Sequence, residues 1–380
     1  MSHATRRKFL IGAGAVPLCM ASCRRGAAAA EAASPTESER SSMMSIAEQF
    51  RQEFRIPGLS VAISKHGRIV YREAFGLADA EAGEAATPSH LFRIASVSKP
   101  ITSTAIYTLI EKGKVKLDDK VFAPDGWLRS FCGNDPSAWL QEITVHHLLT
   151  HTSGGWPNDV SDPMFRDPSI NQNDLISWVL ANQPPTSAPG TRWGYSNFGY
   201  CLLGRVIERA SGMAYAEFVT QRVLLPSDVT DMRIGGNTRA DRVNGEVTYY
   251  GFAEERPYGM NVARMDSHGG WIASATDLVN FVMHVDGFDD AKNLLKPRTI
   301  RTMTSTVTAS AGSRYASGWA VNSVPNWWHV GSLPGTTAIV VRTASGLCWA
   351  ALANARSPGS DGAIDRMMWN LAKAVPAWQA

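Results

Sequence analysis

Apolar residues along this chain follow two different periods, and the change from one to the other outlines the architecture. Residues 43–54 carry them at helical spacing, and Pro57-Gly58 then breaks the pattern. Two β-rich runs follow, 59–64 and 68–75, joined through Lys65-His66-Gly67, which predicts a hairpin. After a loop over 76–90, Ile101, Ala105, Ile106, Leu109 and Ile110 repeat at helical spacing with few charges between them. A mostly buried helix is expected there, ending near Gly113. From it to about residue 310 the strong segments are mainly helical, with long loops between them. The strand period returns at 315–321, 327–330, 336–343 and 347–352, and a helix over 362–375 closes the chain. Strands at both ends with helices between them predict an α+β fold: one antiparallel sheet built from both chain ends and flanked by helices, with a large helical insertion. The expected division is a sheet domain of 43–95 and 312–380 and a mainly helical domain of 96–311, and no internal repeat is visible.

The first 42 residues do not fit this pattern. Thr5-Arg6-Arg7-Lys8-Phe9-Leu10 opens onto an apolar stretch, 11–21, too short and too rich in Gly and Pro to span a bilayer. Paired arginines before Phe-Leu mark residues 1–23 as an expected twin-arginine export signal, which places the protein in the periplasm or otherwise outside the cytoplasm. Small residues before Cys23 also match a lipoprotein processing site. Membrane attachment through a lipid on Cys23 therefore stands beside simple cleavage near 27–33. Residues 24–42, Ala-rich and then Ser/Glu-rich, hold too little apolar surface to pack and are expected to form a flexible linker. The formal charge of +3 is biased by the signal: cleavage after Gly26 removes five of 37 basic residues, leaving 32 against 34 acidic, or −2. A near-neutral chain argues against nucleic acid as a partner. Beyond the signal only Cys132, Cys201 and Cys348 remain, an odd set whose spacing gives neither a disulfide framework nor a cysteine metal site.

Candidate chemistry begins at Ser96-Val97-Ser98-Lys99-Pro100. A proline is tolerated only in the first helical turn, so Ser96 to Lys99 lie at the start of the expected helix or in a tighter turn leading into it. Ser96 then faces a helix N-terminus, where unpaired N–H groups favour a developing negative charge, and Lys99 returns to the same face. A serine hydroxyl needs a base, and a lysine serves as one only if burial or neighbouring cations lower its pKa; the apolar flanks of Lys99 offer that burial. Ser-x-x-Lys arises by chance about once in a chain of this length, so the motif needs company. Pro189-Gly190-Thr191-Arg192-Trp193-Gly194-Tyr195-Ser196-Asn197 is a turn entering a helix expected over 201–210, which sets Tyr195 and Asn197 beside a cleft. A tyrosine beside an ammonium can have a lowered pKa and exchange protons, and an asparagine can hold an amide or ester; a capping Asn and a packed Tyr would have the same sequence. At Trp327-Trp328-His329-Val330-Gly331-Ser332, a strand edge presents a His, then a Gly that admits a ligand, then an N–H able to complete an oxyanion hole with that of Ser96. An ordinary strand end with a solvated His is the plain alternative. His147 and His151 are one helical turn apart, but Leu148 stands where a hydrolytic zinc helix needs a Glu. No metal or other cofactor is expected; His146, His147 and His151 are assigned structural hydrogen bonds near the cleft, and His268 a place in its loop or wall.

In this order, Ser96-Val97-Ser98-Lys99, Tyr195-Ser196-Asn197 and His329-Val330-Gly331 resemble the three motifs of serine β-lactamases and penicillin-binding proteins. The resemblance is strongest to the branch containing class C β-lactamases, D-Ala-D-Ala carboxypeptidases, D-aminopeptidases and β-lactamase-like esterases. Leu148-Leu149-Thr150-His151-Thr152-Ser153-Gly154 and Gly269-Gly270-Trp271-Ile272-Ala273 also resemble that branch, and the similarity covers roughly 45–375. It implies that Ser96 forms an acyl-enzyme, Lys99 assists its deprotonation, and Tyr195 shuttles protons. Asn197 would orient the acyl group or Lys99, and the Ser96 and Ser332 N–H groups, with Gly331 between strand and ligand, would form the oxyanion hole. His329 stands where β-lactamases have lysine. Val330 departs from the usual Thr, whose hydroxyl helps bind a substrate carboxylate, which leaves ester and less usual amide substrates open. Trp156, Trp193, Trp271, Trp327 and Trp328 could wall an acyl pocket or pack the core. The implied function is an exported serine hydrolase acting on a small ester, amide or peptide. The alternatives are a β-lactamase or a penicillin-binding receptor without efficient turnover, and the sequence does not fix an oligomeric state.

Overall fold

The strands expected at the two ends of the chain pair with each other. The computed structural model describes residues 34–379 apart from Ala311 and Ser313; the expected export signal, Cys23 and the first part of the expected linker lie outside the described residues. The N-terminal end supplies β1 (Gly58–Lys65), β2 (Arg68–Asp79) and β3 (Glu84–Ala85). A small three-stranded sheet takes β4 (Phe92–Arg93), β5 (Arg233–Ile234) and β6 (Trp271–Ala273) from further along, with β6 in the centre. The C-terminal end supplies β7 (Ala320–Val321), β8 (Trp327–Leu333), β9 (Thr336–Arg342) and β10 (Leu347–Ala353). The main sheet runs β3-β2-β1-β10-β9-β8-β7, and the pair that joins the ends is antiparallel from Leu59↔Ala353 to Lys65↔Leu347.

The period of two along these strands explains why both faces are covered. Leu59, Val61, Ile63, Ile339, Val341, Trp349 and Ala351 pack under the helices Glu37–Glu53 and Ser360–Lys373. Their neighbours Ala62, Ala338, Val340, Cys348, Ala350 and Leu352 point the other way, toward helix Ala275–Met283, and belong to a cluster that continues through Ile101 and Ile106 to Leu202 and Val206. One core therefore joins the sheet to the helical part, so the boundaries read at 95 and 312 mark a change of architecture inside one packed body. Among the described residues no helix is long and apolar enough to cross a membrane, and Cys132, Cys201 and Cys348 are free thiols.

Two local expectations are corrected. The first helix begins at Glu37, so residues 37–42 are not part of a flexible linker. A capping box starts it: Glu39 N–H donates to Thr36 Oγ1 at 3.3 Å, and Thr36 N–H donates to Glu39 Oε2 at 2.7 Å. The strand expected over 315–321 shrinks to Ala320–Val321 because Gly318, at φ +80°, turns the chain against the helix of Lys99. A Cβ there would lie 2.7 Å from that of Ser103, so only glycine permits the approach.

Candidate active site

Ser96 lies in a 3-10 turn, Ala95–Val97, that feeds directly into helix Ser98–Glu111, with Pro100 in its first turn as the sequence requires. Ala95 adopts φ +48°, a left-handed conformation costly for a residue with a Cβ, of order 1–3 kcal/mol. The turn is held from both sides. Ile94 N–H donates to Trp271 O at 3.0 Å, and Gly331 of β8 faces it so closely that a Cβ would come within 2.1 Å of Ile94 O. Gly331 is thus the residue that lets the edge of the main sheet meet the serine turn.

Lys99 is fully buried, and its Nζ has three neighbours at hydrogen-bond distance: Ser96 Oγ at 3.0 Å, Asn197 Oδ1 at 2.8 Å and His268 O at 2.9 Å. It also stands 4.7 Å from the centre of the Tyr195 ring. Burial pushes the amine well below its ordinary pKa, opposed only in part by the carboxylate of Asp162. Asn197 is the first residue of helix Asn197–Ser211, whose N-cap, Ser196, accepts from Gly199 N–H at 3.0 Å. Its Nδ2 donates to Asp162 Oδ2 at 2.7 Å, and this fixes which end of the amide faces the lysine.

Tyr195 lies just before that helix, its ring 4.3 Å from that of His151. The backbone around it is pinned by Ser196 N–H donating to His151 Nδ1 at 3.0 Å and Asn158 N–H donating to Tyr195 O at 2.6 Å. Burial raises the phenol above its usual pKa, against the pull of a hydrogen bond with Ser96. This corrects the expectation of a lowered value: the lysine that would have lowered it is itself biased to the neutral form. His329 lies beside Tyr195, 6.2 Å away between ring centres. Its Nδ1–H donates to Val330 O at 2.7 Å, and Nε2 accepts from the Tyr315 hydroxyl at 2.9 Å. Burial and Lys99 lower its pKa to about 3, so the ring is neutral and both nitrogens are occupied.

The motifs thus meet at one place, but not every residue singled out in them faces it. Val330 lies one step along the strand from His329 and packs against the core under the terminal helices, so its side chain does not take the place of a substrate-binding hydroxyl. The Ser332 side chain accepts from Arg356 Nη1 at 3.0 Å, and Arg356 is ion-paired with Glu255 at 2.6 Å. Trp156, Trp271 and Trp327 are buried, the first two with indole N–H groups donated to Gln183 O and the Tyr215 hydroxyl; Trp328 packs under the terminal helices. Trp193, 38 % exposed, borders an open cavity of about 180 Å³ beside Gly154 and Gly194. His147 closes a capping box with Thr144.

Sequence reasoning missed Asp162 and Tyr315 and did not assign His268 its contact. Asp162 lies in a loop without periodicity, and Tyr315 falls at the start of the strand expected over 315–321. His268 acts through its backbone carbonyl, which no side-chain pattern can reveal.

A family model described as Beta-lactamase matches residues 44–373. Esterase EstB of Burkholderia gladioli is 37% identical over 199 residues, which cover 48% of each chain, so this chain matches about half the length of that relative. Penicillin-binding protein 4* of Bacillus subtilis (strain 168) is 28% identical over 340 residues, covering 80% of this chain and 69% of the relative. Among solved structures, the D-amino acid amidase of Ochrobactrum anthropi SV3 with L-phenylalanine amide superposes with a TM-score of 0.74 at 21% identity, covering 90% of this chain and 99% of that one. The octameric penicillin-binding protein homologue from Pyrococcus abyssi gives 0.71 at 24%, covering 89% and 79%. These last two likenesses are of fold.

Proposed function

The chain belongs to the beta-lactamase family, and from that premise we propose that it is an exported serine hydrolase that cleaves small esters or amides through an acyl-enzyme on Ser96. One observation carries the reading: the three partners of the buried Lys99 amine. Asn197 Oδ1 and His268 O can only accept, so they take two N–H groups of the amine. A neutral amine then has one lone pair left, and the third partner is Ser96 Oγ. The amine is thereby set to take the Ser96 proton as Oγ attacks a carbonyl carbon.

The remaining steps follow from the same geometry. Tyr195, kept as a phenol and hydrogen-bonded to Ser96, can pass the proton from Lys99 to the departing oxygen or nitrogen while its own proton is replaced. Water then attacks the ester on Ser96 with the same groups working in reverse. The developing oxyanion is assigned to the N–H groups of Ser96 and Ser332, which the absence of a side chain at Gly331 keeps close together. His329, neutral and tied to Tyr315, is assigned to position the proton-transfer wall beside Tyr195. Export is proposed from Arg6-Arg7 and the apolar stretch behind them, with Cys23 a site for a lipid anchor.

The test is turnover of p-nitrophenyl butyrate, nitrocefin and a D-Ala-D-Ala peptide by the purified protein beside Ser96→Ala. Ester hydrolysis that falls by about 10³-fold or more in the variant is expected. Activity that survives Ser96→Ala overturns the nucleophile. A stable penicillin adduct on Ser96 with no turnover of any substrate would make the protein a receptor.

A further inference from the structure

Two aperiodic loops, around 162–168 and 256–264, meet beyond the end of β8 and enclose a cavity of about 270 Å³. Its apolar lining comes from Met164, Phe165, Met260 and Pro334. Met260 also packs in a small cluster with Ala95, the neighbour of Ser96, and with Leu333, so one layer of side chains links the cavity to the serine turn. From the other side, Met164 N–H donates to Asp162 Oδ1 at 2.9 Å, and Asp162 holds Asn197. The cavity therefore lies between the asparagine that contacts Lys99 and the strand end that carries Ser332. Trp193 and its own cavity lie on the Tyr195 side, where a leaving group must receive its proton.

The charge of this cavity is one-sided. Arg166, Arg256 and Arg264 line it, and no aspartate or glutamate does. Arg256 is exposed, and among the described residues its guanidinium has no carboxylate or carbonyl partner. Arg166 stacks on Trp178 at 3.7 Å without an ion pair, which holds its charge in place and leaves its N–H groups available. Arg264 is only 5 % exposed; its terminal nitrogens donate to the carbonyls of Met164, Arg166, Asp167 and Ile170, but its Nε is buried with no partner. The adjoining carboxylates are engaged elsewhere: Asp167 accepts from the Ser169 N–H at 2.9 Å and hydroxyl at 2.7 Å, and Glu255 is ion-paired with Arg356 at 2.6 Å. A small cavity with an apolar wall and guanidinium groups free of carboxylates fits a short alkyl segment ending in an anion.

We infer that this cavity receives the far end of an acyl group that carries a carboxylate, so the preferred substrates are half-esters or half-amides of short dicarboxylic acids. The inference rests on the hydrolase reading above and names the substrate class of that site. The acyl carbonyl would sit at Ser96 with its chain running past Met260, and its terminal carboxylate would lie between Arg166 and Arg256, with Arg264 holding the loop that carries Arg166.

The test compares mono-p-nitrophenyl adipate with p-nitrophenyl hexanoate, which have acyl chains of equal length and differ in the terminal charge. A kcat/KM ratio favouring the adipate by about tenfold is expected at low salt, shrinking as ionic strength rises. Arg256→Gln should reduce that ratio several-fold, and Arg256→Glu should reverse it, favouring the 6-aminohexanoate ester. Because Arg256 is exposed, these variants are expected to fold. Binding of monomethyl adipate against methyl hexanoate to Ser96→Ala, measured by calorimetry, reads the same preference without turnover. Equal ratios in the wild type and both Arg256 variants, or tighter binding of the neutral ester, would overturn the inference while Ser96-dependent hydrolysis kept the broader reading. Absence of Ser96-dependent hydrolysis with retained adipate preference would do the opposite.

Discussion

The floor of the cleft and its rim are ordered by different means. On the floor, Ser96, Lys99 and Asn197 sit at the starts of two long helices packed into the main core, and their contacts are between side chains set by helical geometry. The rim is formed by loops with no repeating pattern, and buried arginines take the place of secondary structure there. Arg264 donates to four carbonyls of the 164–170 loop, while Arg93 donates to Pro257 O at 2.5 Å and Gly236 O at 3.1 Å, its guanidinium 4.2 Å from the Tyr249 ring centre. A guanidinium with five donors can satisfy several loop carbonyls that would otherwise be unpaired on burial. Chemistry is thus placed on the rigid elements, and recognition on segments that can change length and sequence around one or two anchors.

The comparison is broken most severely at the floor. Lys99→Met, which keeps the length and apolar contacts of the stem but removes the amine, should lower kcat/KM by about 10³-fold or more in an ester assay, with the circular dichroism spectrum unchanged. The pH profile then sharpens it. Since the base must be unprotonated, kcat/KM should fall about tenfold per pH unit on the acid side of the lowered Lys99 pKa. With the phenol of Tyr195 raised, no alkaline limb should appear below about pH 10. Asp162→Asn removes the charge that pulls Lys99 upward, so the acid limb should move to lower pH; a move to higher pH would contradict the assignment. At the rim, Arg264→Met should leave the loop carbonyls unpaired, costing about 3 kcal/mol in chemical denaturation and raising KM about tenfold, with a smaller change in kcat.

The same division decides what could be read in the sequence. Apolar periods located the hairpin of β1 and β2, the strands β8 to β10 and the helix after Ser96, because regular elements packed on one core leave a regular trace. Ser96, Lys99, Tyr195 and Asn197 were legible because each sits at or beside a helix start that Pro or Gly marks nearby. Asp162 and Tyr315 were not, since their roles depend on contacts with Asn197 and His329 made across irregular chain. Val330 shows a different failure: its place in the motif was read correctly, but strand alternation sends its side chain to the opposite core. The first helix was read as starting late because Ser and Glu suit both a linker and a capped helical turn. The reciprocal bonds of Thr36 and Glu39 decide between them.

The pairing of β1 with β10 has a consequence for how the protein is made. Leu59 emerges from the ribosome long before its partner Ala353, by about 15–60 s at ordinary rates of synthesis. Throughout that interval the β1–β2 hairpin presents an open, apolar edge that could recruit the wrong chain. The sheet therefore cannot close until β10 has been made, and premature termination shortly before β10 would remove the middle of the sheet rather than trim its border.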